Sequence, residues 1–263
     1  MIQQQKLTEQ QLISSVTAAI ATLPTEALQI INDNNGIISG GFFTSHLLGI
    51  PFKDVDIYFS DTEQANNTFL KLFKLQYGKR LAYFNPEAKQ NLHISLYSDP
   101  HALVVPFELM RFKTFASAEE CINDFDFSVC QIAYQNGVIA FGKNTIKDFN
   151  AKKLRIENIN GTLRQHFNRI AKYIEKGFSP SKQVFNKLYE YTQNPEKFKL
   201  DFEPYEPIPL PNPVDDQIPE FPVPPQLPNR AIGNDANNVF IDAVPQVVPQ
   251  QQPINWVVAG RAG

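Results

Sequence analysis

Gly40 and Gly41 stand together, and after twelve intervening residues Asp54, Val55 and Asp56 open an apolar run. Alternation along a strand sends residues i and i+2 to one face. Asp54 and Asp56 therefore stand side by side, with Val55 and Ile57 on the opposite face. Carboxylates that close repel each other unless a cation lies between them. Mg²⁺, a hard ion that takes oxygen ligands and arrives with substrate phosphates, suits such a pair. The glycines permit a sharp turn and a close approach of backbone to ligand. A helix beginning there points free N–H groups and its positive dipole end at phosphate, and Thr44 and Ser45 add hydroxyl donors. Together these residues read as a phosphoryl-transfer site, in which metal activates an attacking hydroxyl and neutralises a leaving pyrophosphate. That chemistry calls for a third carboxylate.

The elements that must position these groups follow from periodicity. Residues 7–34 read as two helices, the first capped by Thr8, the second opened by Pro24 and ended by Asn34-Asn35-Gly36. Ile37-Ile38 is a short buried strand leading into the glycines, and residues 54–59 form the next strand. Asp61–Leu75 is helical. Strand-like segments follow at 81–84, 92–97 and 104–112, with a loop at Asp99-Pro100. Residues 117–122 form a short helix, and Asp126 is expected to cap a further helix over the apolar run FSVCQIAY. A turn at Asn136-Gly137 leads into a strand over 138–141, then a helix near 144–149 and a strand near 154–158. Residues 161–176 form an amphipathic helix with Leu163, Phe167, Ile170 and Ile174 on its apolar stripe. Gly177 ends it, and Pro180 starts a last helix.

Composition changes near Pro195, since 14 of the 20 prolines lie from there onward. So many prolines remove backbone donors and exclude helix or central strand, so this tail is expected to be extended or disordered and to suit a protein partner. Three regions result: a head over 1–158, a helical extension over 159–194 and an acidic tail over 195–263. The fold class is α+β, a mixed sheet flanked by helices with a small C-terminal helical unit. Net charge is −3, but 143–187 carries 11 Lys/Arg against 3 Asp/Glu, whereas 200–263 carries 2 against 8. The basic block suits a polyanion. Cys121 and Cys130 have no CxxC spacing and read as free thiols. The N-terminus lacks a signal-peptide pattern, and no apolar run reaches the roughly 18 residues of a membrane span. A cytoplasmic protein without membrane contact is expected.

The segment GGFFTSHLLGIPFKDVDIYF, with Leu47-Leu48-Gly49 and Lys53-Asp54-Val55-Asp56, resembles the signature of DNA polymerase beta-like nucleotidyltransferases. It is most similar to the head domain of tRNA CCA-adding enzymes and bacterial poly(A) polymerases. FELMRFK (107–113), DFSVCQIAY (126–134) and LRQHFNRIAKYIEKGF (163–178) resemble later family motifs in the same order. The resemblance covers about 25–185. It implies that Asp54 and Asp56 bind Mg²⁺ with Glu108 as third carboxylate; Asp124 and Asp126 are rivals for that place. It assigns Gly40, Gly41, Thr44, Ser45, Asp126 and Arg164 to the nucleotide, and Arg111, Lys113 and Arg169 to acceptor or phosphate contacts. Where the family has Arg-Asp after the glycines, this chain has Thr44-Ser45; Asp124-Phe125 replaces Arg-Arg, and the acids of Glu-Asp-x-x-Arg are absent. The implied activity is transfer of a nucleotide from a nucleoside triphosphate to an acceptor hydroxyl, an RNA 3′ end favoured, with release of pyrophosphate. The alternative is a catalytically degenerate binding or virion-associated protein that docks a partner through its tail.

Overall fold

The computed structural model describes residues 6–77, 91–97, 104–194, 196 and 255–259. The chain divides into one unit over 1–209 with 253–263 and a second over 210–252; the second lies outside the described residues. So do the expected strand at 81–84, the Asp99-Pro100 loop and most of the tail.

A mixed sheet forms the frame. Its strands are β1 (Ile37–Ser39), β2 (Val55–Phe59), β3 (Asn91–Tyr97), β4 (Val104–Thr114), β5 (Ile132–Gln135), β6 (Val138–Gly142) and, from the far C-terminal part, β9 (Asn255–Ala259). Their spatial order is β3-β4-β2-β1-β5-β6-β9. Pairing is antiparallel except β2 with β4 and β6 with β9. A two-stranded sheet, β7 (Lys153–Leu154) with β8 (Ser179–Pro180), lies apart from it.

One face of the large sheet carries Ile38, Val55, Ile57, Leu92, Ile94, Phe107 and Leu109 into a core shared with α1 (Glu9–Ala21), α2 (Thr25–Asp33), α3 (Gly41–Leu48) and α4 (Thr62–Tyr77). Thr8 and Gln11 form the capping box that starts α1. The opposite face carries Ile37, Tyr58, Met110, Ala133 and Ala140 against α5 (Ala118–Asp124). A third core gathers α6 (Thr145–Asn150), α7 (Leu163–Glu175) and α8 (Lys182–Thr192) around Phe127, Leu154, Ile170, Tyr173 and Phe178. Among the described residues no helix is long and apolar enough to cross a membrane.

Three local expectations are corrected. The run after Asp126 is a 3-10 turn over Ser128–Cys130 followed by β5, with Phe127 rather than Asp126 at the turn's cap position. A short apolar run does not separate helix from strand by periodicity; here the open edges of β1 and β6 take it as the strand between them. The strand near 154–158 shortens to β7 and a single bridge, Phe127 to Ile156. On α7 the buried residues are His166, Ile170 and Tyr173, while Phe167 and Ile174 are 53% and 50% exposed. Two stripes cross at Ile170, and the one that wins brings Tyr173 onto Phe127 and Phe178 and Arg169 onto a buried carboxylate.

Candidate active site

A row of side chains crosses four strands. Ser39 on β1 is in register with Asp56 on β2, Asp56 with Glu108 on β4, and Glu108 with His93 on β3. Residues in register on neighbouring strands share a face, so this row stands on the α5 side of the sheet. Asp54, just before β2, joins it. One carboxylate oxygen each from Asp54, Asp56 and Glu108 lies within 4.8 Å of the other two. All three residues are partly buried. Asp124 pairs instead with Lys113, and Asp126 is buried against Arg169, so neither rival stands in the third place.

Three carboxylates so close cannot all stay ionised cheaply. Burial first, then Asp54 and Glu108, raise the Asp56 pKa from 3.8 to about 7; Lys172 and Arg169 pull it back down. The donor set is all oxygen and carries net negative charge, which fits a hard divalent cation such as Mg²⁺ or Mn²⁺ and not a soft one.

The glycine turn abuts this cluster. Gly40 has φ +85 and ψ −143, a conformation that only glycine adopts readily. A Cβ on Gly40 would lie 2.9 Å from Asp56 Oδ2 and 3.4 Å from the Phe125 ring. The missing side chain thus lets β1 run into α3 directly beside the carboxylate. No side chain caps the N-terminus of α3, and the first N–H groups of a helix have no partner within it, so they are donors that an anion can use.

Helix α7 supplies cations to the same turn. Lys172 Nζ lies 3.9 Å from where a Cβ on Gly41 would stand. One turn on, Lys176 Nζ donates to Ser45 Oγ at 2.9 Å. Burial, then the neighbouring Lys172 charge, lowers the Lys176 pKa. Arg169 is held by Asp126 at 2.6 Å, with about half of its side chain exposed. Asp126 also lies 3.9 Å from His166 Nε2. The α7 helix is therefore anchored beside the carboxylates with three cations on one flank.

Other expected contacts are engaged elsewhere. Thr44 is fully buried and its hydroxyl donates to the Val129 carbonyl at 3.0 Å. Ser45 is 2% exposed and already accepts from Lys176. Arg111 is 2% exposed; it alternates with Glu108 along β4 and so belongs to the opposite face. Arg164 is exposed in the first turn of α7. Lys172 and Lys176 went unnamed in the sequence reading, although their spacing of four on the helix of Arg169 was the available signal. Asn91 and His93 gave no such signal, because their place beside Glu108 depends on strand pairing. Both cysteines are free and buried; burial pushes the Cys130 thiol up to about 12, which makes it a poor nucleophile.

The sequence model of one family, Gad2 or Gabija anti-defense 2 family protein, matches residues 7–152, more than half of the chain. A protein named Gabija anti-defense 2 from Bacillus phage SPbetaL7 is 24% identical over 174 residues, covering 64% of this chain and 40% of its own length. The chain thus spans about two fifths of that relative. Among solved structures, the Thermotoga maritima CCA-adding enzyme complexed with tRNA aligns with a TM-score of 0.44 and 12% identity, covering 71% of this chain and 49% of that one. A CCA-adding enzyme in complex with ATP aligns at 0.45 and 12%, with the same coverage. A tRNA-processing enzyme in an apo form aligns at 0.44 and 17%, covering 76% and 53%.

Proposed function

The chain belongs to the Gabija anti-defense 2 family, and we propose that it serves anti-defence as a divalent-metal-dependent nucleotidyltransferase. The observation that carries this reading is the meeting of Asp54, Asp56 and Glu108 within 4.8 Å beside a glycine turn that a Cβ would block. Asp54, Asp56 and Glu108 would hold the ion, Mg²⁺ by the hardness of its donors. Bound there, it supplies positive charge to offset the carboxylates and the charge gathering on the phosphates.

The rest is assigned to the chain's own residues. The free N–H groups at the start of α3, with Lys172 and Lys176, hold the β- and γ-phosphates. An acceptor hydroxyl oxygen bonds to the α-phosphorus, the bond from that phosphorus to the bridging oxygen breaks, and pyrophosphate leaves while the hydroxyl gives its proton to solvent. Arg164 and Arg169, exposed along α7, favour a polyanionic acceptor such as an RNA 3′ end.

One observation favours a second reading. Thr44 and Lys113 are tied to protein partners and Arg111 is interior, as in a fold that has kept its frame and lost its catalysis. A single assay separates the two. Purified chain with Mg²⁺ is offered each labelled nucleoside triphosphate, together with total host RNA or total host protein. The expected result is label in the RNA fraction, and none with Asp54→Asn/Asp56→Asn. Label in protein instead would keep the activity and replace the acceptor. No transfer and no calorimetric binding of any nucleoside triphosphate would overturn the enzyme reading in favour of a binding module.

A further inference from the structure

Glu108 is gripped from β3. The Asn91 side-chain amide donates a hydrogen bond to Glu108 Oε1. His93, directly in register with Glu108, brings Nε2 to 3.6 Å from the same oxygen. Two neighbours on one oxygen restrain the carboxylate, one oxygen of which lies within 4.8 Å of oxygens of Asp54 and Asp56. The Asn91 carbonyl Oδ1 is buried with no hydrogen-bond partner. Burying an unpaired amide oxygen is unfavourable, so the residue's place in the row is explained by its donor rather than by general packing. His93 is 39% exposed and Glu108 18%, which puts the pair at the solvent edge of the cluster, and β3 is the outermost described strand on that side of the sheet. Alternation places Asn91, His93 and Ser95 on one face of β3, and only the first two touch the carboxylate.

We infer that Asn91 and His93 are positioning residues that fix the Glu108 carboxylate so that one oxygen faces Asp54 and Asp56 and completes the divalent-cation site. The inference rests on the metal-binding reading of the three carboxylates and extends it. Partners of this kind orient a ligand, and their loss lowers metal affinity about 10–100-fold.

The test is Mn²⁺ binding to the full chain, read from the paramagnetic resonance signal of the free ion, with thermal melting of the same samples without metal. Asn91→Ala and His93→Ala are expected to weaken Mn²⁺ binding by about 10–100-fold. His93→Gln, which keeps a donor, is expected to recover most of the loss. Ser95→Ala, on the same face, is expected to bind as wild type. The metal-free melting temperatures should stay close together, since His93 is partly exposed and its truncation leaves the sheet paired. Wild-type affinity in both alanine variants overturns the inference while the carboxylate site stands. An equal loss in Ser95→Ala also overturns it, as general loosening of β3. Absence of Mn²⁺ binding in the wild type overturns the metal reading itself and removes the inference with it. Should Asn91→Ala fail to fold, the His93→Ala and His93→Gln pair decides alone.

Discussion

Asp56 has the most to lose without a cation. Its pKa of about 7, against 3.8 in an unperturbed chain, means that the folded protein holds a proton the unfolded protein has released across that window. Stability therefore falls as pH rises from about 4 to about 7 and stays low above it. The upper bound is on the order of 4 kcal/mol. Thermal melts in chelator are expected to show this decline, and Asp56→Asn to flatten it and to raise the melting temperature at pH 8. Divalent cation should restore the wild type at that pH. A wild-type profile in the variant would show that the strain lies elsewhere. Gly40→Ala tests the same contact from the other side. The positive φ and the 2.9 Å approach to Asp56 Oδ2 predict a cost of about 1–3 kcal/mol, together with weakened Mn²⁺ binding. Two aspartates and two glycines at this spacing were readable as a site because strand alternation and glycine's backbone freedom are local properties.

At the scale of elements, α7 joins two kinds of evidence. It carries the apolar face that closes the third core and the cations that flank the carboxylates. Arg169→Ala would leave Asp126 buried without its partner, at a cost of about 3 kcal/mol, read by chemical denaturation. Lys172→Ala and Lys176→Ala should instead leave stability near wild type and weaken binding of a nucleoside triphosphate by about tenfold each, since each deletes one charge-assisted contact of roughly 1.5 kcal/mol; calorimetry reads it. Equal binding in the double variant would remove α7 from the phosphate site. Helix α7 was legible as a helix, with Gly177 as its stop; the structure adds the capping box of Thr162 and Gln165 that starts it. Its buried face was not, because Phe167 and Ile174 make as good a stripe in the sequence as His166 and Tyr173. Packing on Phe127 and the charge on Asp126 broke that tie.

Over the whole molecule, the described sheet ends in β3 at one edge and β9 at the other. β9 is reached only after the proline-rich segment, and among the described residues its strand partner is β6. A chain ending at residue 194 is expected to retain the proposed nucleotide transfer, since no residue assigned to the site lies beyond α7. It should also self-associate more readily, because the edge of β6 loses its cover; light scattering checks this. Loss of transfer on truncation would place part of the site in the tail.

The sequence alone determined that two carboxylates stand close together beside a glycine turn, that helices and strands mix as an α+β chain, and that proline takes over near residue 195. Each of these depends on residues within a few positions of one another. Tertiary structure brought Glu108, which the family resemblance had named ahead of its rivals Asp124 and Asp126, beside the pair, and it decided which lysines face the turn and that Asn91 and His93 stand beside Glu108. The parallel pairing of β2 with β4 joins residues 52 positions apart, Asp56 and Glu108. The row from Ser39 to His93 exists only once four strands lie in register. Which strands pair is settled by the burial of whole faces, and no stretch of the chain carries that information by itself.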